Sequence, residues 1–397
     1  MQLGRHLRAY SKLTYVRCFS KATRTRKQMI LTELKEVGKL TVGGVALMSA
    51  LVVSGGFVIE TVKTLNPLVP PGVMLQISDS HGKSSDVHVQ YCGDGDVTII
   101  FDGGVGETSF DWDKVVVDVA KFATVIAIDR PGLGFSKPGK LPRTSSQIAS
   151  EYSQILEQLN VNGKLILVGH GAGGYNMREL AQNLNASGCG FECQGIVLVD
   201  ALEENLRFDL ESISDAVHKS LAEMDRNGEM VLFLARFGFI RLINVVQHAK
   251  MVGKYSPAAL PYVEYFSPSP AHREGALREN QSLSITEQRF RDAIGQTQFD
   301  FPCVVLSHGK AGMFDSMKLQ AGVTPQTLVE LERRWLDAQK RLATNVSGRS
   351  VHRVIHDAGH CIPHEKPEEI TKAVRALIDE IQGNGEGHRG LASLTNA

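Results

Sequence analysis

From residue 73 onward, short runs rich in β-branched residues alternate with stretches of helical periodicity, a pattern that few architectures can satisfy. Parallel strands must be joined by crossovers of a dozen or more residues, usually helical. The alternation therefore predicts an α/β fold, a mostly parallel sheet with helices on both faces. Eight strands are expected, over residues 73–77, 87–91, 97–101, 124–128, 165–169, 195–200, 303–307 and 351–355. Helices are expected over 145–159, 174–185, 323–343 and 367–382. Between about 201 and 300 only helical patterns remain, among them 230–246, where Leu232, Phe233, Phe237, Ile240 and Leu242 recur at helical spacing. This stretch predicts a helical cap inserted after the sixth strand, its Phe and Met residues serving as packing, and it divides the core into 73–200 and 301–382.

The 397 residues carry 43 Lys+Arg and 43 Asp+Glu, a balance that gives no reason to expect a nucleic-acid partner. The balance hides an asymmetry. Residues 1–39 hold ten Lys/Arg against Glu33 and Glu36, a net charge of +8, which leaves −8 for residues 40–397. An arm that is basic, rich in Ser and Thr and free of acid up to Glu33 has the composition of a mitochondrial transit peptide, and Arg17-Cys18-Phe19-Ser20 resembles a matrix-peptidase cut site. The alternative is a solvated or lipid-binding arm.

Residues 40–59 carry no charge, and at 1.5 Å per residue such a stretch covers about the 30 Å of a bilayer's hydrocarbon. One N-terminal transmembrane helix is expected there. Ala46, Ala50 and Ser54 form a stripe of small residues through which a second membrane helix could approach; ordinary Gly/Ala usage explains the stripe equally well. Residues 60–72, with Asn66-Pro67-Leu68-Val69-Pro70-Pro71, are expected to be a linker, and Gly-rich 383–397 a flexible tail. Retained positive charge puts the arm on the matrix or cytosolic side and the residues after 60 on the other. The expected location is the mitochondrial inner membrane with the globular part in the intermembrane space. The alternative is a type II anchor in the ER or secretory membrane with a luminal domain. Of six cysteines, Cys189 and Cys193 are close enough for a local disulfide or half a metal site, but no second Cys/His pair accompanies them, so free thiols and no metal are expected.

Four segments carry candidate chemistry. They are Ile100-Phe101-Asp102-Gly103-Gly104-Val105-Gly106 followed by Phe110-Asp111-Trp112; Ala127-Ile128-Asp129-Arg130-Pro131-Gly132-Leu133-Gly134-Phe135-Ser136; Val168-Gly169-His170-Gly171-Ala172-Gly173-Gly174; and Asp357-Ala358-Gly359-His360-Cys361-Ile362-Pro363-His364. In this order and spacing they resemble the α/β-hydrolase superfamily, and the resemblance covers residues from about 85 to 382. It implies an α/β-hydrolase fold, eight-stranded, with an oxyanion loop in the first segment, a nucleophile elbow in the third and the base in the fourth. The elbow of active members reads Gly-x-Ser-x-Gly. Here its centre is Gly171, a vacant nucleophile position, because a glycine has no side chain to attack with. The N-myc downstream-regulated proteins of the same superfamily likewise carry Gly there and are not regarded as hydrolases.

By the same resemblance His360 takes the position of the base, and the N–H groups of Val105 and Ala172 are the oxyanion donors. For the acid, the resemblance implies Asp200, in Ile196-Val197-Leu198-Val199-Asp200, over Asp315, because a similar branch of the superfamily has the same Leu-Val-Asp ending and no acid after the seventh strand, where this chain has no carboxylate before Asp315. A plain helix-capping role for Asp200 stays open. His170 is expected to be a packing residue and Cys361 a half-buried thiol, not a replacement nucleophile.

Two functions follow as expectations. The first is a pseudoenzyme: a membrane-anchored protein of this fold without acyl-enzyme activity, acting as an accessory subunit or binding module of a mitochondrial membrane complex. It needs no cofactor and has a lipid or small apolar molecule as candidate ligand. The second is an active hydrolase, of esterase/lipase or epoxide-hydrolase type, in which His360 and Asp200 activate a water or a non-standard nucleophile. A deprotonatable side chain within about 3 Å of the free ring nitrogen of His360 would favour the second.

Overall fold

Eight strands form one sheet: β1 Val73–Ser78, β2 Ser84–Cys92, β3 Val97–Asp102, β4 Thr124–Ile128, β5 Gly163–His170, β6 Phe191–Val199, β7 Cys303–His308 and β8 Ser350–Ile355. The computed structural model describes residues 54–79, 82–187, 191–295, 298–383 and 390–395. The strand order is β1-β2-β4-β3-β5-β6-β7-β8. β2 runs antiparallel to β1 and β4, and the other pairs are parallel. All eight expected strands are present, with ends shifted by a few residues.

The central strands are apolar on both sides because helices cover both faces. Along β3, Ile99 and Phe101 join one core cluster and Ile100 the other. Helices Asp113–Val119 and Pro367–Gln382 cover the first face; Ser145–Gln158, Gly173–Ser187 and Pro325–Val346 cover the second. Because β3, β5, β6 and β7 run parallel and in register, the carboxyl ends of the central strands converge: Asp102 pairs with Gly169, and His170 with Val199. Ligand sites of open α/β sheets form at such ends.

After β6 the chain makes five helices, Leu206–Glu211, Asp215–Arg236, Phe239–Lys254, Leu260–Phe266 and Pro270–Asp292, before returning as β7. The single helix expected over 230–246 is interrupted at Gly238, whose φ of 72° lies in the left-handed region and cannot continue a right-handed helix. Helix Pro270–Asp292 is pinned to the core. Gly275 packs against the Gly132 carbonyl. Glu279 accepts from Arg130 (2.6 and 2.9 Å), and the Ser282 and Thr286 hydroxyls accept from the Arg143 and Ser145 N–H groups.

Residues 60–397 form one compact unit. The segment 60–72, expected to be a linker, is tied down: Arg241 donates to the Glu60 carboxylate (2.8 and 3.1 Å), and the Pro71 carbonyl contacts the His88 ring. A buried ion pair holds what composition alone marks as free. Within the expected flexible tail, Ala392–Thr395 is helical and Leu394 is buried, so this part is packed by an apolar anchor. The basic arm 1–39, residues 40–53 of the expected span, and Cys189 lie outside the described residues; residues 54–59 are helical. Among the described residues no helix is long and apolar enough to cross a membrane.

Candidate active site

The elbow follows directly from β5. Gly171 has φ 52°, a conformation in which an L side chain crowds its own carbonyl and glycine does not. Its N–H donates to the Val199 carbonyl (3.2 Å), and its carbonyl accepts from the Leu202 and Gly174 N–H groups (3.0 and 3.2 Å). A Cβ built at Gly171 would meet only the Gly104 Cα, at 3.4 Å. The position therefore has room for a small side chain that the sequence does not supply.

Asp200 lies one residue past β6, fully buried and with φ 44°. That rare geometry is held by its hydrogen bonds. The His308 N–H and Trp335 Nε1 donate to Oδ1 (3.1 and 2.8 Å), and the Nδ1 atoms of His308 and His360 both reach Oδ2 at 2.6 Å. Burial alone would raise the carboxyl's pKa, but the two imidazoles hold it well below the usual carboxylate range. On its far side His308 Nε2 meets Glu332 Oε2 at 2.9 Å, and Glu332 also accepts from the Gly312 and Met313 N–H groups. Both ring nitrogens of His308 face carboxylates, so both donate. Despite the opposing effect of burial, its pKa is pushed up to about 9 by Asp200 and Glu332.

His360 sits in the turn before helix Ile362–Glu365 with its Nδ1 committed to Asp200. Among the described residues no side chain lies within hydrogen-bonding distance of its Nε2. The sequence-expected residues Gly171, Asp200 and His360 thus converge, whereas Asp315 is exposed on the helical turn Asp315–Leu319 and pairs with Lys318 (2.8 Å). The Cys361 thiol is half-buried, and burial raises its pKa.

The oxyanion loop differs from the expectation in one respect. Among the described residues nothing accepts from the Val105 and Ala172 N–H groups, so both are available. The loop, however, carries its own anion: Glu107 Oε2 accepts from the Gly104 N–H (2.6 Å) and meets His170 Nδ1 (2.7 Å). His170 Nε2 donates to the His360 carbonyl (3.0 Å), so His170 too faces an acceptor at each nitrogen. Burial opposes charge on both partners, yet the pair holds His170 up at about 9 and Glu107 down at about 2. The expected packing residue is an imidazolium whose ring lies 4.7 Å from that of His360. The loop is clamped from below by Arg130, which donates to Asp102, to the Gly103 and Gly104 carbonyls (2.8 and 2.6 Å) and to Glu279.

Sequence reasoning passed over His308, Glu332, Trp335 and Glu107. His308 had a signal, since it ends β7 beside the Asp200 strand; Glu332 and Trp335 lie on helix Pro325–Val346 and come into reach only on folding. Among the described residues, Asp200, His308 and His360 are those whose potential metal-ligand atoms converge, within 4.8 Å of one another. Their Nδ1···Oδ2 separations of 2.6 Å are those of N–H···O hydrogen bonds.

Comparison with known proteins agrees with the fold. The chain is 29% identical over 129 residues to the uncharacterized protein YqjL of Bacillus subtilis (strain 168), covering 32% of this chain and 48% of that one. It is 22% identical over 303 residues to the abhydrolase domain-containing protein abhd-5.2 of Caenorhabditis elegans, covering 73% and 60%. The matches thus span only about half to three-fifths of these curated relatives. Among solved structures, a putative epoxide hydrolase from Pseudomonas aeruginosa superposes with a TM-score of 0.55 at 17% identity, over 80% of this chain and 98% of that one. A thermophilic esterase from Thermogutta terrifontis gives 0.52 at 18%, over 78% and 99%. At such identities the likeness is one of fold. The family model for the alpha/beta hydrolase family matches residues 99–373, from β3 into the last long helix, and the chain belongs to that family.

Proposed function

We propose that this chain is a membrane-anchored member of the family that forms no acyl-enzyme and acts as an accessory subunit or binding module. Its location would be the mitochondrial inner membrane, with residues after 60 in the intermembrane space. The observation that carries the reading is the glycine at the elbow, facing an oxyanion loop that already holds a carboxylate. Nothing at Gly171 can attack a carbonyl. Negative charge developing near the Val105 and Ala172 N–H groups would meet Glu107 on the same loop, only partly offset by the His170 imidazolium. The basic arm and the uncharged stretch 40–59 support the anchor, and Ala46, Ala50 and Ser54 support a helix partner within the membrane.

The free Nε2 of His360 favours one second reading, a slow esterase-, lipase- or epoxide-hydrolase-like activity in which His360, held by Asp200, deprotonates a bound water. One assay separates the two. Wild type, His360→Ala and Gly171→Ser are compared on nitrophenyl esters. The binding reading expects wild type and His360→Ala to be equally inactive, and wild-type turnover that vanishes in His360→Ala overturns it. Protease protection in isolated mitochondria checks the location: a domain digested only after the outer membrane is opened is expected, and digestion in intact organelles contradicts it.

A further inference from the structure

Beyond Glu60, which ends the uncharged stretch 40–59, residues 61–78 hold no acid and one cation, Lys63. Six apolar side chains of this segment, Val62, Leu65, Leu68, Val69, Val73 and Met74, stand exposed, Val69 by 81%. A single exposed apolar residue is ordinary, but so close a run of them marks an interaction surface. The segment is fixed in place with that surface outward. Arg241 and Glu60 form a largely buried ion pair, the Tyr265 hydroxyl donates to the Lys63 carbonyl (3.4 Å), and β1, which contains Val73 and Met74, pairs with β2 at the edge of the sheet. A free linker over residues 60–72 would let the domain drift about 20 Å from the residue that precedes it. Pinned at Glu60, this domain has no such slack.

The same segment borders a cavity of about 510 Å³. Leu68 and Met74 line it together with Phe135, Tyr265 and two lysines, Lys63 and Lys137. The one acid in its wall, Glu60, is taken up by Arg241. Lys137 meets Asp86 at 2.7 Å, an exposed pair that contributes little, and among the described residues nothing pairs with the Lys63 ammonium. Two exposed cations thus stand at an apolar and aromatic rim.

We infer that residues 62–74 rest on a lipid bilayer and that the cavity they border takes the headgroup of an anionic phospholipid, its phosphate on Lys63 and Lys137. The inference rests on the membrane-anchor reading above and names the surface that meets the lipid. A span ending at residue 59 leaves the pinned segment within a few turns of the bilayer. The division of labour is that of an interfacial element: apolar side chains enter the acyl boundary, lysines meet the phosphates, and the Tyr265 phenol lies at headgroup level. The lack of any acid across 61–78 suits a negatively charged surface.

The test uses the full chain in nanodiscs whose lipids carry brominated acyl chains, which quench tryptophan on contact, against unbrominated discs of the same composition. Val69→Trp reports on the surface. Val329→Trp, exposed on helix Pro325–Val346, is the control; that helix packs on β7, six strands from β1 and so roughly 30 Å away across the sheet. The native Trp112 and Trp335 are buried and are subtracted as wild type. Bromination should dim Val69→Trp by at least about twofold and leave Val329→Trp unchanged. Quenching of Val69→Trp should be stronger with phosphatidylglycerol in the discs than with phosphatidylcholine alone, and Lys63→Gln with Lys137→Gln should remove about half or more of that gain. Both lysines are exposed, so the double variant should melt with wild type. Equal quenching at the two positions, or none at Val69→Trp, overturns the inference while a chain that enters the discs keeps the anchor. A blue shift of Val69→Trp without quenching means that protein covers the surface and overturns it too. Quenching that ignores phosphatidylglycerol, or a gain untouched by the lysine variants, overturns the headgroup site. A full chain that stays outside the discs defeats the anchor and the inference together.

Discussion

The two sides of the elbow differ in what their charges are arranged to do. On the base side, Asp200 gathers four donors, two of them imidazole nitrogens at 2.6 Å, and His360 keeps one ring nitrogen free. On the oxyanion side the attacking atom is missing and a carboxylate–imidazolium pair, Glu107–His170, occupies the loop. Both sides are dense with charge and hydrogen bonds, yet only the first has the arrangement a general base needs. Such a buried polar network is held together by its own members, because removing one strands the others.

The largest test of this contrast is Asp200→Asn. It withdraws the anion from two imidazoles at a fully buried position, and should destabilise the protein by about 3–5 kcal/mol in urea unfolding. A loss under about 1 kcal/mol would mean that the network contributes little.

Next comes pH. His170 and His308 both have folded pKa values raised from 6.5 to about 9, so their stabilisation is fully present below pH 6.5 and is lost as pH rises toward 9. Glu107, lowered from 4.5 to about 2, contributes above pH 4.5 and loses its share as pH falls through that window. The melting temperature should therefore drop between pH 6.5 and 9, and drop less in His170→Gln and in His308→Gln. An equal drop in all three proteins would contradict the two imidazolium assignments.

In a Gly171→Ser background, Glu107→Gln should raise the burst rate on nitrophenyl esters about 10²-fold, the scale of an oxyanion-hole effect. No change would show that the Glu107 charge is irrelevant to the loop. Trp335→Phe, which removes one neutral donor from Asp200, should cost about 2 kcal/mol. Gly171→Ala should cost about 1 kcal/mol, from the left-handed backbone alone, since the site has room for the methyl group.

Most of the framework was legible from residue order. Strands such as 97–101 and 303–307 are apolar at all but one position each, Thr98 and Ser307, because both faces are covered, and the helical stretches between them set the parallel topology. The elbow glycine was equally legible, because its consequence is local: without a side chain there is no nucleophile. Less legible was whatever depends on residues far apart in the chain. Glu332 lies 24 residues from His308, and Glu279 lies 149 from Arg130, so neither pairing leaves a periodic trace. The break at Gly238 was missed because apolar periodicity continues across it, and a single backbone angle decides where the helix ends.

The sequence by itself determined the class of fold, the order of its motifs and the empty nucleophile position, since these follow from hydrophobic spacing and from the chemistry of single residues. Only the tertiary structure decided which acid serves His360, that Asp200 is shared with His308, and that Glu107 sits on the oxyanion loop. Charges act through space over a few ångströms, and the distances that set their strength do not exist until the chain has folded.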